Sequence, residues 1–382
     1  MRRTIFSEDH DLFRQQFRRF VEKEVEPKIA GWNQTGYCDR ATWRRMGEEG
    51  YLGANAPAAY GGSEAGFLYN VIVIEELAWA RAHPLLTLLH SDIVMPYLVQ
   101  HGTDEQKSRY LPATIRGEKI LGICMTEPGG GSDLAALRTT ARRDGDSWVL
   151  NGSKIFITHG WSGDLFVVAT RTDPAATRPH AGISLFLVEA DTPGFVKHRR
   201  LEKLGLKGQD TGEIFLEDCR VPAANLLGAE GQGFKMMMAK LQQERLVVAI
   251  SAVAMCRRSL HDTSEYVKGR TAFGQAIAGF QNTQFKIAEM ATEIELGQSL
   301  VDRVIAAHVL GEDVVTEVSM AKWWTTELHK RVTSQCLQLW GGYGFMVETA
   351  ISGDYADAAV STIGGGTTEI MKVIISRRLG LG

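Results

Sequence analysis

The strongest chemical signal in the chain is a glutamate set in an apolar helical run. The helical period places Phe234, Met237, Leu241, Val248 and Met255 on one stripe, and Glu244 falls three residues after Leu241 and four before Val248. A carboxylate buried there without a partner loses its hydration, and its pKa rises toward that of a base able to take a proton near neutral pH. The same position also suits a paired structural glutamate. Neighbouring Arg245 projects about 100 degrees away, where it could serve a local ion-pair network.

Three glycine-rich turns add a second kind of signal. In MTEPGGGSDL, residues 125–134, an apolar strand runs into a turn that would present backbone N–H groups beside Thr126, Ser132 and Asp133, a setting suited to an anion. It is not the dinucleotide fingerprint, which needs a strand, tight turn and helix in a βαβ unit. GGYG (341–344) and GGG (364–366) occur late, and the second stands just before a helical pattern opening at Thr367-Thr368. Unpaired N–H groups at a helix start favour phosphate or a developing negative oxygen. All three turns can equally be read as simple connections or helix stops. Thr158, ending an apolar strand with Phe156, adds a hydroxyl able to meet a flat polar ring, or merely closes the strand.

The elements that must hold these groups fall into three blocks. From Ser7 to about residue 116 the period is helical: Ser7 can cap a run with an apolar stripe of Leu12, Phe13, Phe17, Phe20 and Val21, and Pro27 ends or bends it. Further helical stretches cover 67–79 and 87–98, and Thr103 with Gln106 has capping-box spacing for a fourth. Beyond Lys119 the segments LGICMTE, SWVLNGSKIFIT, LFVVATR, GISLFLVE and GEIFLEDC read as strands, with Asn151-Gly152 as a tight turn between two of them. Few crossover-length helices separate them, so a mainly antiparallel sheet or barrel is expected. Past Gly233 the chain is helical again, with long segments over 234–267, 278–310 and 312–339. The expected division is a helical domain at 1–119, a β domain at 120–231 and a helical bundle at 232–382.

Bulk properties exclude several classes. A net charge of -3 and only short basic groups argue against nucleic-acid binding. With 44% apolar and 23% charged residues the chain is globular, and its apolar runs are broken by carboxylates before they could span a bilayer. The start lacks an apolar core of signal-peptide length. Cys38, Cys124, Cys219, Cys256 and Cys336 are scattered and without metal-ligand spacing, which points to inert reduced thiols, a cytoplasmic location and no bound metal.

Taken together, MTEPGGGSDL, NGSKIFITHG, LEKLGLKGQDTGEIFLEDCRVP, RTAFGQAIAGFQNTQF, QLWGGYGF and IGGGTTEIMKVIISRR resemble the acyl-CoA dehydrogenase family, in family order and spacing from about Phe6 to Leu379. The resemblance implies an α+β fold with an N-terminal helical domain, a middle antiparallel β domain and a C-terminal helical bundle, assembled as a homotetramer around FAD. It implies that Met125 and Thr126 line the flavin, with Phe156 and Thr158 beside its ring. Arg270, Phe273 and Gln281 would meet the pyrophosphate and adenine, Gln338, Gly341 and Gly342 would reach the dinucleotide from another subunit, and Thr367 would approach the adenine. Ser132, Arg245 and Gly364 would line the acyl-CoA.

One departure moves the catalytic base. Many members carry a glutamate just before the last helix, where this chain has Gly365; the long-chain and isovaleryl branches instead place it before the arginine of the central helix, where QQERL puts Glu244. QQERL and RTAFGQAI resemble the long-chain type more closely. The implied reaction is removal of the α proton by Glu244 and of the β hydride by FAD, with the Gly365 N–H steadying the enolate-like oxygen. An electron-transfer flavoprotein would then reoxidise the flavin. Gly364 and Gly365 leave room where many relatives place larger groups, or else serve the backbone. A branched short-chain dehydrogenase of the isovaleryl type is the first competing function, followed by an acyl-CoA oxidase and a non-catalytic acyl-CoA-binding protein.

Overall fold

The computed structural model describes residues 3–381. Helix α1 (Glu8–Phe20) starts at Ser7, whose hydroxyl lies 2.7 Å from His10 Nδ1 while its N–H donates to the same nitrogen. Phe17, Phe20 and Val21 are buried but Leu12 is 63% exposed, so the inward stripe is narrower than the sequence period suggests. The helical run continues past Pro27. A π-helical turn (Val21–Val25) leads into α2 (Glu26–Thr35), and Pro27 sits in the first turn of α2, where its missing N–H costs nothing. Helices α3 (Arg40–Glu48) and α4 (Phe67–Trp79) follow, then a π-helical stretch (Leu88–Val94) running into α5 (Met95–His101). The expected box caps α6 (Asp104–Ile115): Gln106 N donates to Thr103 Oγ1 and Thr103 N to Gln106 Oε1.

The middle of the chain is one eight-stranded sheet: β1 (Leu121–Cys124), β2 (Thr140–Asp144), β3 (Ser147–Thr158), β4 (Leu165–Arg171), β5 (Ile183–Glu189), β6 (Phe195–Arg200), β7 (Thr211–Pro222) and β8 (Leu226–Leu227). Its order is β6-β7-β3-β2-β4-β5-β8, with β1 beside β4. The pairing is antiparallel except where β4 runs parallel to β1 and, at one residue pair, to β2. Strands β2 and β6 are mostly exposed and basic, TARRD and FVKHRR, which hid them from an apolar-run search. Alternation along β4 and β5 sends Leu165, Val167, Leu185 and Leu187 into the core shared with the helices, and Phe166, Val168, Phe186 and Val188 into a separate core inside the sheet.

The expected turn at Asn151-Gly152 is not a turn. Strand β3 runs through it, pairing with β7 on both sides, and the register slips there by a bulge. Asn151 stabilises the irregularity across the strands, donating from Nδ2 to Asp218 Oδ1 and accepting from Asp218 N. Gly152 adopts φ +150, with its Cα side pressed against Thr139.

The C-terminal part is α7 (Gly233–Gly269), a small hairpin of β9 (Thr271–Ala272) and β10 (Gln275–Ala276), α8 (Gln281–Val309), α9 (Val315–Trp340), α10 (Ala350–Ser361) and α11 (Thr368–Arg378). Helix α7 packs against α4, α8 and α9. Because neighbours cover it on several sides, it is buried nearly all round between Glu244 and Ala254. The single stripe inferred from the period is therefore too simple: of its members Met237 is fully buried, while Phe234, Leu241, Val248 and Met255 are half-buried.

Candidate active site

Glu244 is 7% exposed on α7, and its Oε1 accepts a 2.8 Å hydrogen bond from the hydroxyl of Tyr97, which is wholly buried on α5. Burial pushes the Glu244 carboxyl up to about 7, although the Tyr97 bond and the charges of Arg245 and Lys240 pull it back. Lys240, one turn earlier, is lowered to about 8, chiefly by its own burial, with Glu244 opposing. Among the described residues Glu244 closes no ion pair, and the Tyr97 hydroxyl is its hydrogen-bond partner.

Arg245 departs from expectation. It joins no ion-pair network among the described residues; it is 6% exposed, its Nε has no hydrogen-bond partner, and burial lowers its pKa. It points instead toward the glycine turn before α11, where a Cβ on Gly366 would lie 3.9 Å from Arg245 Nε.

That turn closes over α7. A Cβ on Gly365 would stand 3.6 Å from Val248 Cγ2, one helical turn beyond Glu244, so the turn lies beside the helical face that carries Glu244. Space for a side chain exists at Gly364 and Gly365, but Gly365 has φ +68, so glycine meets a backbone need as well. The Gly365 N–H has no acceptor among the described residues. Lys322 of α9, fully buried and lowered to about 8 chiefly by that burial, anchors the turn by donating to Gly366 O at 2.7 Å. Thr367 caps α11, its hydroxyl accepting from Ile370 N.

A second group gathers where β1 and β3 end. Ile155 N donates to Thr126 O, and Lys154 Nζ reaches Met125 O and the Glu127 carboxylate at 2.8 Å. Glu127 also accepts from the N–H groups of Arg138 and Thr139, which fixes the turn whose exposed part includes Ser132. The backbone N–H groups of Glu127 and Gly130 are spent on each other, leaving a smaller anion cradle than the sequence suggests. Phe156, at φ +59, is 65% exposed, and Thr158 Oγ1 accepts from Gln209 Nε2.

The third group lies at an outer corner. The Arg270 guanidinium sits 5.6 Å over the ring of Tyr343, joining the β9–β10 hairpin to the turn after α9. Phe273 is 96% exposed, Gln281, Gln338, Gly341 and Gly342 are exposed too, and Arg270 pairs with no carboxylate among the described residues. The structure thus brings Arg270 and the QLWGG segment together, but among the described residues no hydrogen bond or ion pair joins them to Glu244. Tyr97 and Lys322 went unnoticed in the sequence. Tyr97 lies 147 positions from its partner, and no local pattern links the two.

Three models of acyl-CoA dehydrogenase domains match the chain in succession, the N-terminal at residues 7–118, the middle at 122–219 and the C-terminal at 231–380. The chain belongs to the acyl-CoA dehydrogenase family. The mitochondrial long-chain specific acyl-CoA dehydrogenase of Mus musculus is 44% identical over 99% of this chain and 88% of its own. Isovaleryl-CoA dehydrogenase of Pongo abelii is 35% identical over 97% of this chain and 88% of its own. The crystal structure of an acyl-CoA dehydrogenase from Geobacillus kaustophilus superposes with a TM-score of 0.98 at 52% identity, covering all of both chains. Membership makes this protein an FAD-dependent acyl-CoA dehydrogenase with the helix, sheet and helix architecture described above.

Proposed function

We propose that this acyl-CoA dehydrogenase acts on straight long-chain acyl-CoA and that Glu244 is its base. The observation that carries the assignment is a buried carboxylate that closes no ion pair among the described residues, pushed up to about 7, under a glycine turn whose Gly365 N–H has no acceptor among them. A thioester α proton becomes removable only as charge moves onto the carbonyl oxygen, and the Gly365 N–H is a donor with nothing else to bind. Glu244 then receives the proton, while Arg245, Gly364 and Ser132 line the acyl-CoA. FAD, when bound, accepts the β hydride, so the product is a trans-2-enoyl-CoA.

The chain's residues fit that cofactor. Exposed Phe156 and half-buried Thr158, beside Met125 and Thr126, offer an edge for the flavin ring, and Arg270, which pairs with no carboxylate among the described residues, offers a cation for the pyrophosphate. Phe273, Gln281, Gln338, Gly341, Gly342 and Thr367 complete the dinucleotide site, with the outer corner reaching to a second subunit of a homotetramer. Five buried free cysteines support a cytoplasmic setting, and an electron-transfer flavoprotein is the acceptor in this reading. No helix of the described residues is long and apolar enough to cross a membrane.

Anaerobic stopped-flow reduction of Glu244→Gln, loaded with FAD and offered short, branched, medium and long acyl-CoAs, tests both parts. Loss of roughly 10²- to 10⁴-fold in reduction rate with binding intact is expected. Near-normal reduction would reject Glu244, and faster reduction of the wild type by isovaleryl-CoA would replace the long-chain assignment.

A further inference from the structure

Glu244 has two carboxylate oxygens, and the structure treats them differently. Oε1 is held by the Tyr97 hydroxyl at 2.8 Å, whereas Oε2 has no hydrogen-bond partner among the described residues. Tyr97 has no exposed surface, and it is delivered by α5, just after the π-helical stretch Leu88–Val94. That stretch is tied to the helix of the base, because Gln243 Nε2 donates to Asp92 O at 2.7 Å immediately before Glu244. The hydroxyl and the carboxylate are therefore registered against one another by backbone on one side and a side-chain bond on the other.

We propose that Tyr97 is a positioning residue for the base, pinning Oε1 so that Oε2 is the atom that receives the α proton. This rests on Glu244 being the base. In the step, the Cα–H bond breaks and an O–H bond forms at Oε2. The electron pair left on Cα becomes the new Cα=Cβ bond as the β hydride departs to the enzyme's FAD. A carboxylate with both oxygens free would rotate and spend part of its time misaligned, and a single strong donor removes that freedom while lowering the basicity that burial raises.

The surroundings single out Tyr97 for this work. The titratable and charged groups about the carboxylate are Lys240 and Arg245 on α7, Tyr97 on α5, and Asp92 in the stretch before it; beyond the glycine turn Lys322 of α9 faces Arg245. Of these only Tyr97 makes a hydrogen bond to Glu244. Burial, together with the adjacent carboxylate, holds the Tyr97 phenol well above its ordinary pKa, so it remains a donor throughout the working range. Its bond favours the ionised glutamate, opposing the desolvation that favours the protonated one.

The test is Tyr97→Phe, which removes one oxygen and keeps the ring. The acid limb of the flavin-reduction rate is expected to move up by about one pH unit, since a bond to the charged form is lost, and the plateau rate to fall roughly 10-fold with acyl-CoA binding little changed. A readout independent of turnover is thermal unfolding against pH: the midpoint of the pH-dependent loss of stability should move up in step with the kinetic limb. In the Glu244→Gln background Tyr97→Phe should have almost no further kinetic effect. An unmoved limb and a normal plateau in FAD-loaded Tyr97→Phe would overturn the proposal. So would equal losses in both backgrounds, because a purely structural tyrosine would lower the rate whatever stands at 244. Rapid reduction by Glu244→Gln would overturn the base assignment itself, a separate outcome.

Discussion

At residue 244, the proposed role as a base and the stability of the fold make opposite demands. Burial lifts the folded carboxyl to about 7, above its ordinary 4.5, so the folded state holds a proton that the unfolded chain has already released. The associated stability is complete below the unfolded value and is lost as pH rises through about 7. Glutamine has no proton to lose. Glu244→Gln is therefore expected to be the more stable protein at pH 8, by at most about 3 kcal/mol, with the advantage shrinking toward pH 5; melting temperatures of the two proteins across that range would expose the opposite trend if the carboxylate were paired. The partner position can be tested in the same background. A Cβ at Gly365 meets only Val248 Cγ2 at 3.6 Å, so Gly365→Glu in Glu244→Gln has room to place a carboxylate beside the same substrate carbon. It must tolerate φ +68, a cost of about 1–2 kcal/mol for a residue with a Cβ. Partial recovery of flavin reduction with short acyl-CoA, and less with long, is the expected result; none with any chain length would mean that the turn and the base do not share one substrate position.

At the level of elements, the sequence exposed those whose signals are local. Ser7, Thr103 with Gln106, and the apolar run of α4 all carry their information within a few residues, and the structure follows them. Elements decided by partners were harder to read. Asn151-Gly152 has the composition of a hairpin turn, yet β7 is long enough to pair with both halves of β3, and the dipeptide becomes a bulge. Strands β2 and β6 owe their conformation to neighbouring strands and carry little apolar patterning of their own. The bulge makes a sharp prediction. At Gly152 an added Cβ would lie 2.6 Å from Thr139 Oγ1 and 2.7 Å from Thr139 Cα, and the latter is backbone that cannot step aside cheaply. Gly152→Ala should destabilise the protein by about 1–3 kcal/mol, seen as a lower unfolding midpoint in denaturant with an unchanged slope. If the dipeptide were a free turn, alanine there would have left the midpoint nearly where it was.

Across the whole molecule, the proposed base was legible because one buried carboxylate breaks an apolar helix, whereas Tyr97 and Lys322, which bond Glu244 and the glycine turn from helices remote in sequence, were not. The outer corner was legible only as exposed glycines and an arginine, and the proposed role for it needs a second subunit. Phe273, Phe345 and Val347 are 96%, 80% and 89% exposed, with Tyr343 and Met346 beside the latter two in sequence, and large apolar side chains left so bare on a folded subunit usually mark a contact surface. Arg270 lies over Tyr343 at the same corner, so the groups assigned to the pyrophosphate share a location with the apolar residues. If that corner closes on a second subunit, assembly and FAD retention must fail together. Phe273→Asp is a suitable probe: Phe273 has φ +52, a conformation that aspartate tolerates better than most residues, so the turn should survive while a charge enters the contact. Sedimentation of the wild type is expected to give a tetramer carrying FAD, and that of Phe273→Asp smaller species whose FAD absorbance falls in proportion to the loss of tetramer. A variant monomer that kept its full complement of FAD would place the whole dinucleotide within one chain and remove the outer corner from the site.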